Sequence, residues 1–144
     1  MTDVNLKLVI AIARNYNTLF SKVERNVQSY GLNTSEFGVL ELLYHKGEQP
    51  VQKVAEKILV TSGTITYVID KLEKKELVYR KKCLKDKRIF YVCLSEKGEK
   101  LIADIFPKHK EFLVELFSGM DEDSKKLIVE NLFQLLNSME ERDT

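Results

Sequence analysis

The chain has 144 residues, of which 44% are hydrophobic and 31% are charged, and its formal net charge is +1. This length fits one folded domain with helical extensions, and it is sufficient to bury a core. No apolar run approaches the roughly 20 residues that cross a bilayer, and the N-terminus has no signal-peptide pattern, so we expect a cytoplasmic protein without a membrane partner.

Two helices are predicted in the first third of the chain. The first is long and amphipathic over residues 4–29, because its apolar positions recur every three or four residues and the pattern ends near Gly31. The second begins after Asn33, whose spacing from Glu36 is that of a capping box, and it stops at Gly47.

The next two predicted helices have the pattern of a helix-turn-helix. Pro50 is at a first-turn position of the shorter one, whose inward residues are Val51, Val54, Ala55 and Ile58. The buried side of the longer one consists of Ile65, Val68, Ile69 and Leu72. Its outward side is hydroxylated and basic, as in a helix that enters the major groove of DNA, and consists of Thr61, Ser62, Thr64, Thr66, Tyr67 and Lys71. Gly63 would allow a close approach to the DNA.

A basic β-hairpin follows this helix. After Leu77 the apolar period changes to two, which predicts two strands around a charged loop. Residues 71–88 contain nine basic and three acidic side chains, a local net charge of +6, as expected of a nucleic-acid reader. We predict that the loop contacts the minor groove, and that an aspartate orients an arginine there through a charge-assisted hydrogen bond. The loop residues concerned are Lys85, Asp86, Lys87 and Arg88.

Two further helices are predicted after the hairpin. Ser95 is placed to cap the first of them, and Pro107 is expected to kink or interrupt it near Phe106. The last helix begins with an acidic turn over residues 121–123 and is apolar on more than one face, which indicates a partner surface.

Three motifs resemble the multiple antibiotic resistance regulator (MarR) family of winged helix-turn-helix transcription factors. They are LxKKxLVYR at 72–80, Asp86-x-Arg88, and LSEKG at 94–98, and the similarity extends from about Leu6 to Glu140. The resemblance implies a mainly α fold with a small β-hairpin wing, a DNA-binding lobe over 33–94, and dimerisation helices over 1–30 and 95–144. The family usually has Gly where this chain has Glu76. We therefore expect either a strained left-handed residue costing up to ~1 kcal/mol or a different helix exit.

The resemblance implies a homodimeric, sequence-specific regulator of double-stranded DNA, more often a repressor than an activator, that occupies an inverted-repeat operator. The alternative is a winged helix that serves as a protein-interaction module, in which the basic hairpin binds an acidic protein partner. We predict no enzyme activity, no cofactor and no metal site, because the sequence contains no nucleophile constellation, no phosphate loop and no metal-ligand spacing.

The resemblance also implies release from DNA by a small aromatic or phenolic ligand, or by an electrophile such as a quinone. Four aromatic residues are candidates for a ligand pocket, although ordinary core aromatics would have the same pattern. They are Tyr16, Phe20, Tyr44 and Phe106.

Of the two cysteines, Cys83 is the candidate redox residue, because lysines flank it and positive charge favours a thiolate. Cys93 is expected to pack in a strand as a small hydrophobic residue. Pairing the predicted strands places Cys83 near Arg88 and Cys93 near Val78, too far apart for a disulfide.

Overall fold

The structure, a computed structural model, describes residues 3–58 and 62–142, and at positions 62 and 63 it describes the backbone alone. These ranges contain six helices and three short strands: α1 (Val4–Gln28), α2 (Thr34–Lys46), β1 (Gln49–Pro50), α3 (Val51–Ile58), α4 (Ser62–Lys74), β2 (Val78–Lys82), β3 (Phe90–Leu94), α5 (Glu96–Leu116) and α6 (Glu122–Glu141). The predicted class, mainly α with a hairpin wing, is confirmed. The chain forms two compact units, Met1–His109 and Lys110–Thr144.

Local capping sets the ends of α2. The N–H of Glu36 donates to Asn33 Oδ1 at 2.8 Å, and the N–H of Asn33 donates to Glu36 Oε1 at 3.0 Å. Gly47 follows the helix at a φ of 77°, a conformation that glycine adopts without strain. The predicted capping box and the predicted end of α2 are both confirmed.

The three strands form one antiparallel sheet in the order β1-β3-β2. Strand β1 was not predicted, and the placement of Pro50 in the first turn of α3 was wrong. Pro50 pairs with Tyr91 of β3, and α3 begins at Val51. A proline is tolerated in this strand because β1 is at the sheet edge, where the missing N–H removes no bond to a further strand.

The hairpin register differs by one residue from the predicted register. Cys93 pairs with Tyr79, and the N–H of Cys83 donates to the carbonyl of Ile89 at 2.9 Å. The turn is centred on Asp86, whose carbonyl accepts from the N–H of Ile89 at 3.0 Å. Cys83 is then four residues beyond the position opposite Cys93, roughly 13 Å at the rise of a strand. A disulfide needs Cα atoms within about 7 Å, and both thiols are free.

The core of the first unit forms around the predicted inner face of α4. Ile65, Val68, Ile69 and Leu72 are all at most 4% exposed, and α4 packs against α2 and α3. Burial of a side chain of this size contributes roughly 1.5–3 kcal/mol. The predicted apolar face of α4 is therefore confirmed, and it fixes which side of the helix remains outside.

Helix α5 continues through Pro107, so of the two expected outcomes, a kink or an interruption, the interruption does not occur. Proline removes one backbone hydrogen bond, but packing on either side holds the helix in place. Ile105 is in the core, and His109 Nδ1 is 2.9 Å from Asn26 Oδ1 while its ring is 4.6 Å from that of Phe37. Burial lowers the pKa of His109 below its ordinary value, which favours the neutral imidazole.

Helix α4 is followed by a left-handed residue, which is the first of the two alternatives expected from the sequence. Glu76 has a φ of 63°, and its N–H donates to the carbonyl of Glu73 at 2.9 Å. The N–H of Leu77 donates to the carbonyl of Leu72 at 3.0 Å, which completes a Schellman motif. Glutamate therefore occupies a position that favours glycine.

We expect Glu76→Gly to stabilise the protein by up to ~1 kcal/mol, because it removes a Cβ that opposes the left-handed conformation. Urea unfolding at matched protein concentration measures the change. Lys74→Gly, at the last residue of α4, is the control and should not stabilise the protein, because that residue is helical and gains nothing from glycine. A Glu76→Gly protein no more stable than the wild type would contradict the strain at this position.

Helices α1 and α6 each expose many apolar side chains. In α1 these include Val4, Leu6, Val9, Ile10 and Tyr16, and in α6 they include Leu127, Val129, Leu132, Phe133 and Met139. No residue of α6 is buried. None of the helices in the described part of the chain is long and apolar enough to cross a membrane. Continuous exposed apolar faces of this kind are typical of association surfaces.

Candidate nucleic-acid interface

The outward face of α4 carries four of the predicted contact residues. Thr64, Thr66, Tyr67 and Lys71 are all exposed, and Tyr67 is 61% exposed. The ammonium of Lys71 is 5.3 Å from the centroid of the Tyr67 ring, so one turn of the helix presents a cation above an aromatic ring.

Two other predicted contact residues are at the beginning of α4. Ser62 and Gly63 form its first turn, and only their backbone is described. Thr61 lies outside the described residues. An α-helix leaves its first N–H groups without helical partners, so this end of α4 can accept an anion such as a phosphate.

The tip of the hairpin presents an oriented arginine. Arg88 is almost fully exposed, and its Nε and Nη2 donate to the two carboxylate oxygens of Asp86 at 3.1 and 3.2 Å. The backbone N–H of Arg88 also donates to Asp86 Oδ1 at 3.0 Å. These hydrogen bonds lower the pKa of Asp86, so the carboxylate remains ionised and keeps both side-chain hydrogen bonds to Arg88. The predicted bond between these residues is present, and Lys85 and Lys87 on either side of Asp86 are exposed.

Several basic residues of the 71–88 stretch are already paired within the protein. These ion pairs join Arg80 to Asp70 and Glu73, Lys75 to Glu36, and Lys81 to Glu48. Two of the acidic partners, Glu36 and Glu48, precede the stretch by more than 20 residues. The local charge of +6 therefore overstates the charge available to a polyanion. Lys71, Lys85 and Lys87 remain as exposed cations on the face and the tip, and Arg88 is exposed at the tip in its ion pair with Asp86.

Arg80 links α4 to the wing, a role that was not predicted from the sequence. Its side chain is 24% exposed, and its Nη2 is 2.9 Å from Asp70 Oδ1 while Nη1 contacts Glu73. Asp70 and Glu73 are three residues apart on α4, so one guanidinium can bind both. The spacing of two acids on a helix that precedes a strand containing an arginine is the signal that could have indicated the pair.

The LSEKG motif forms the junction between α4 and α5. The N–H of Ser95 donates to the carbonyl of Leu77 at 3.0 Å, and its hydroxyl donates to the carbonyl of Glu76 at 2.6 Å. The same hydroxyl accepts the N–H of Gly98 at 3.0 Å, which caps α5. The predicted capping role of Ser95 is therefore confirmed, and the motif also satisfies carbonyls at the exit of α4.

The two cysteines have different surroundings. Cys93 is buried, and its Sγ is 3.4 Å from Glu48 Oε2. Burial, and then the Glu48 carboxylate, raise the pKa of Cys93, which favours the thiol. The packing role predicted for Cys93 agrees with this position. Cys83 is half-buried just after β2.

A cleft of about 480 Å³ opens beside α2 in the first unit. Its lining combines apolar, hydroxyl and charged side chains, namely Phe20, Leu42, Ile58, Thr34, Ser35, Glu41, His45, Lys46 and Lys57, together with Gly38. Of the four aromatic residues proposed from the sequence, Phe20 lines this cleft. The ring of Tyr16 contacts that of Phe20 in a tilted arrangement with centroids 4.7 Å apart, and the rings of Tyr44 and Phe106 are 6.3 Å apart, but these three residues do not line the cleft.

Comparison with known proteins identifies this arrangement. The sequence pattern that defines the MarR family matches residues 32–90, which include α2 through β2. The HTH-type transcriptional regulator MhqR of Bacillus subtilis strain 168 is 45% identical over 132 residues, covering 92% of this chain and 91% of that protein. The chain belongs to the MarR family. It is thus a DNA-binding transcriptional regulator with a winged helix-turn-helix, and the family consists of regulators rather than enzymes.

Two solved MarR-like structures show how closely the fold is shared. Sco3205 from Streptomyces coelicolor, a MarR family regulator in complex with DNA, superposes with a TM-score of 0.86 at 19% identity over 96% of this chain and 89% of that one. The organohalide-sensing regulator RdhR, in its 2,4-dichlorophenol-bound form, superposes with a TM-score of 0.83 at 19% identity over 96% and 82%. At 19% sequence identity, the structural similarity shows that the fold is shared and nothing more.

Proposed function

We propose that this MarR-type regulator is a homodimeric repressor in the cytoplasm, without enzyme activity, that occupies an inverted-repeat operator. The observation that carries the proposal is an exposed polar face on α4 together with an oriented, exposed arginine on the wing. Arg80 connects the two elements, so they can bind one DNA duplex as a unit. The contacts in the major groove would come from Thr61, Ser62, Gly63, Thr64, Thr66, Tyr67 and Lys71. Those at the minor groove would come from Lys85, Lys87 and Arg88, with Asp86 holding Arg88 in place.

The dimer is proposed from the exposed apolar faces of α1 and α6. Seven large apolar side chains of α6 between Leu127 and Met139 are at least 42% exposed, which is unfavourable for an isolated protomer. Two α4 helices related by a two-fold axis would read half-sites whose centres are about one helical turn, roughly 10 bp, apart.

Selection of bound sequences from a random duplex library tests this proposal. The expected result is an inverted repeat with that spacing and a complex containing two chains. A set of direct repeats, or of single half-sites bound by one chain, would contradict the dimeric arrangement.

The alternative, a winged helix that recognises an acidic protein, predicts a different salt response. A DNA reader binds random duplex weakly, loses affinity steeply as salt rises, and forms a tighter complex at a specific site. Absence of any duplex binding at low salt would favour the protein-interaction module.

We expect Arg88→Ala and Thr66→Ala to weaken operator binding in different ways. Loss of Arg88 should reduce the slope of log affinity against log salt by about 0.9, since it removes about one phosphate contact, and it should act on all sequences. Loss of Thr66 should change discrimination at one base position by up to ~1–3 kcal/mol. Electrophoretic titrations against the operator and its single-base variants measure both effects.

Lys108→Ala is the matched control, because it removes one positive charge from the exposed side of α5. It should change neither the salt slope nor the base discrimination. The assignment of separate roles to Arg88 and Thr66 would fail if their variants lost affinity equally for all sequences at an unchanged salt slope.

The effector is proposed to be a small aromatic or phenolic molecule that binds in the cleft beside α2. The supporting observation is a ring from Phe20 together with hydroxyl and cationic groups around a volume that suits such a ligand. An electrophile such as a quinone, reacting at Cys83, is the second candidate. Operator release by 2,4-dichlorophenol and by benzoquinone should be compared for the wild type and Cys83→Ser. Equal quinone release by both proteins would eliminate the thiol at position 83.

A further inference from the structure

A buried carboxylate at the start of α2 uses its two oxygens for two different partners. Glu36 is 2% exposed. Its Oε1 accepts the N–H of Asn33 in the capping box, and its Oε2 accepts the ammonium of Lys75 at 2.8 Å. A buried charge that loses its partner is strongly unfavourable, so Glu36 holds Lys75 firmly.

Lys75 is the first residue after α4, and it joins three parts of the fold. Its ammonium also donates to the carbonyl of Gly31, in the turn between α1 and α2, at 3.1 Å. Its own carbonyl accepts the ammonium of Lys97, in the first turn of α5, at 3.1 Å. The position of the C-terminal end of α4 therefore depends on the α1–α2 turn and on the first turn of α2.

The same turn of α2 forms part of the cleft wall. Thr34 and Ser35 line the cleft, and they lie between Asn33 and Glu36 in the chain. The capping box closes this turn at both ends, so the four residues move together. An occupant that displaces Thr34 or Ser35 therefore displaces the carboxylate that holds Lys75.

We propose that the Glu36–Lys75 ion pair is the link by which occupation of the cleft changes the position of α4, with Lys75 acting as a positioning residue. This inference rests on the proposed function, since it requires that α4 reads an operator. The ion pair can transmit a displacement because Glu36 follows directly after the cleft-lining residues Thr34 and Ser35, while Lys75, 39 residues further along the chain, follows directly after α4.

A double-mutant cycle tests the link without an identified effector. Ser35→Tyr places an aromatic ring in the cleft, and operator affinity is measured for this change in the wild-type and Lys75→Met backgrounds. We expect Ser35→Tyr to weaken binding roughly tenfold in the wild-type background and by less than about twofold in the Lys75→Met background. Glu36→Gln should abolish the effect in the same way, because the amide retains an oxygen for the capping bond but not the charge.

Two control variants separate the link from general damage. Lys74→Met removes a neighbouring exposed lysine of α4 and should leave the tenfold effect intact. Lys75→Arg keeps the positive charge and should restore most of the effect. Thermal unfolding of each protein, measured at one concentration, should show an unfolding transition in every background, which demonstrates that each variant is folded.

Two results would overturn the inference. One is an equal effect of Ser35→Tyr in the wild-type and Lys75→Met backgrounds, and the other is no effect in the wild type. A wild-type protein that forms no site-specific complex would contradict the proposed function itself, and the inference with it. That outcome is distinguishable because it is seen before any substitution is made.

Discussion

Gly98→Ala should destabilise the protein by more than about 3 kcal/mol, because the added methyl group would occupy the place of a backbone carbonyl. A Cβ built on Gly98 would be 2.0 Å from the carbonyl oxygen of Leu77 and 2.9 Å from its carbon. That carbonyl cannot move easily, since it also accepts the N–H of Ser95. The close approach of α5 to the exit of α4 explains why the LSEKG motif ends in glycine.

Urea unfolding at matched protein concentration measures this loss. Gly119→Ala is the control, because a Cβ there has no atom within 4 Å, and its effect should be within about 0.5 kcal/mol. A Gly98→Ala protein as stable as the control would mean that α5 and Leu77 separate without cost, which contradicts the hydrogen bonds of Ser95.

Arg80→Ala should destabilise the protein by about 2 kcal/mol and weaken operator binding roughly tenfold. The substitution leaves Asp70 and Glu73 as like charges three residues apart on α4, where they repel each other. It also removes the side chain that joins α4 to β2. The helix and the wing would then no longer keep one orientation, so DNA binding would require ordering them at each encounter.

Arg80→Lys tests whether the planar guanidinium is required. A lysine keeps the charge but cannot bind both carboxylates in a fork, so the loss should be intermediate. Lys82→Ala on the same strand is the control for stability and should change it by less than about 0.5 kcal/mol, because Lys82 is exposed. If Arg80→Ala matched Lys82→Ala in stability, the Arg80 ion pairs would contribute nothing to the fold.

The features that the sequence alone determined have partners only a few residues apart. The capping box of Asn33 and Glu36, the hydrogen bonds between Asp86 and Arg88, and the buried face of α4 each follow from helical or turn spacing. The departure from glycine at position 76 was also visible, and the left-handed residue is present. The spacing of the residues along the chain is therefore sufficient to predict these features.

Only the tertiary structure shows which distant segments of the chain pack against one another. Strand β1 consists of two residues and has no recognisable period, so only its pairing with β3 identifies it. The partners of Lys75 and Lys81 are 39 and 33 residues distant, and therefore a count of charges over 71–88 could not show that these lysines are neutralised. Helix α5 continues through Pro107 because packing around Ile105 and His109 outweighs the tendency of proline to end a helix. Periodicity reports that a side chain is buried or exposed, but the identity of its neighbour depends on how distant segments pack, and no local pattern contains that information.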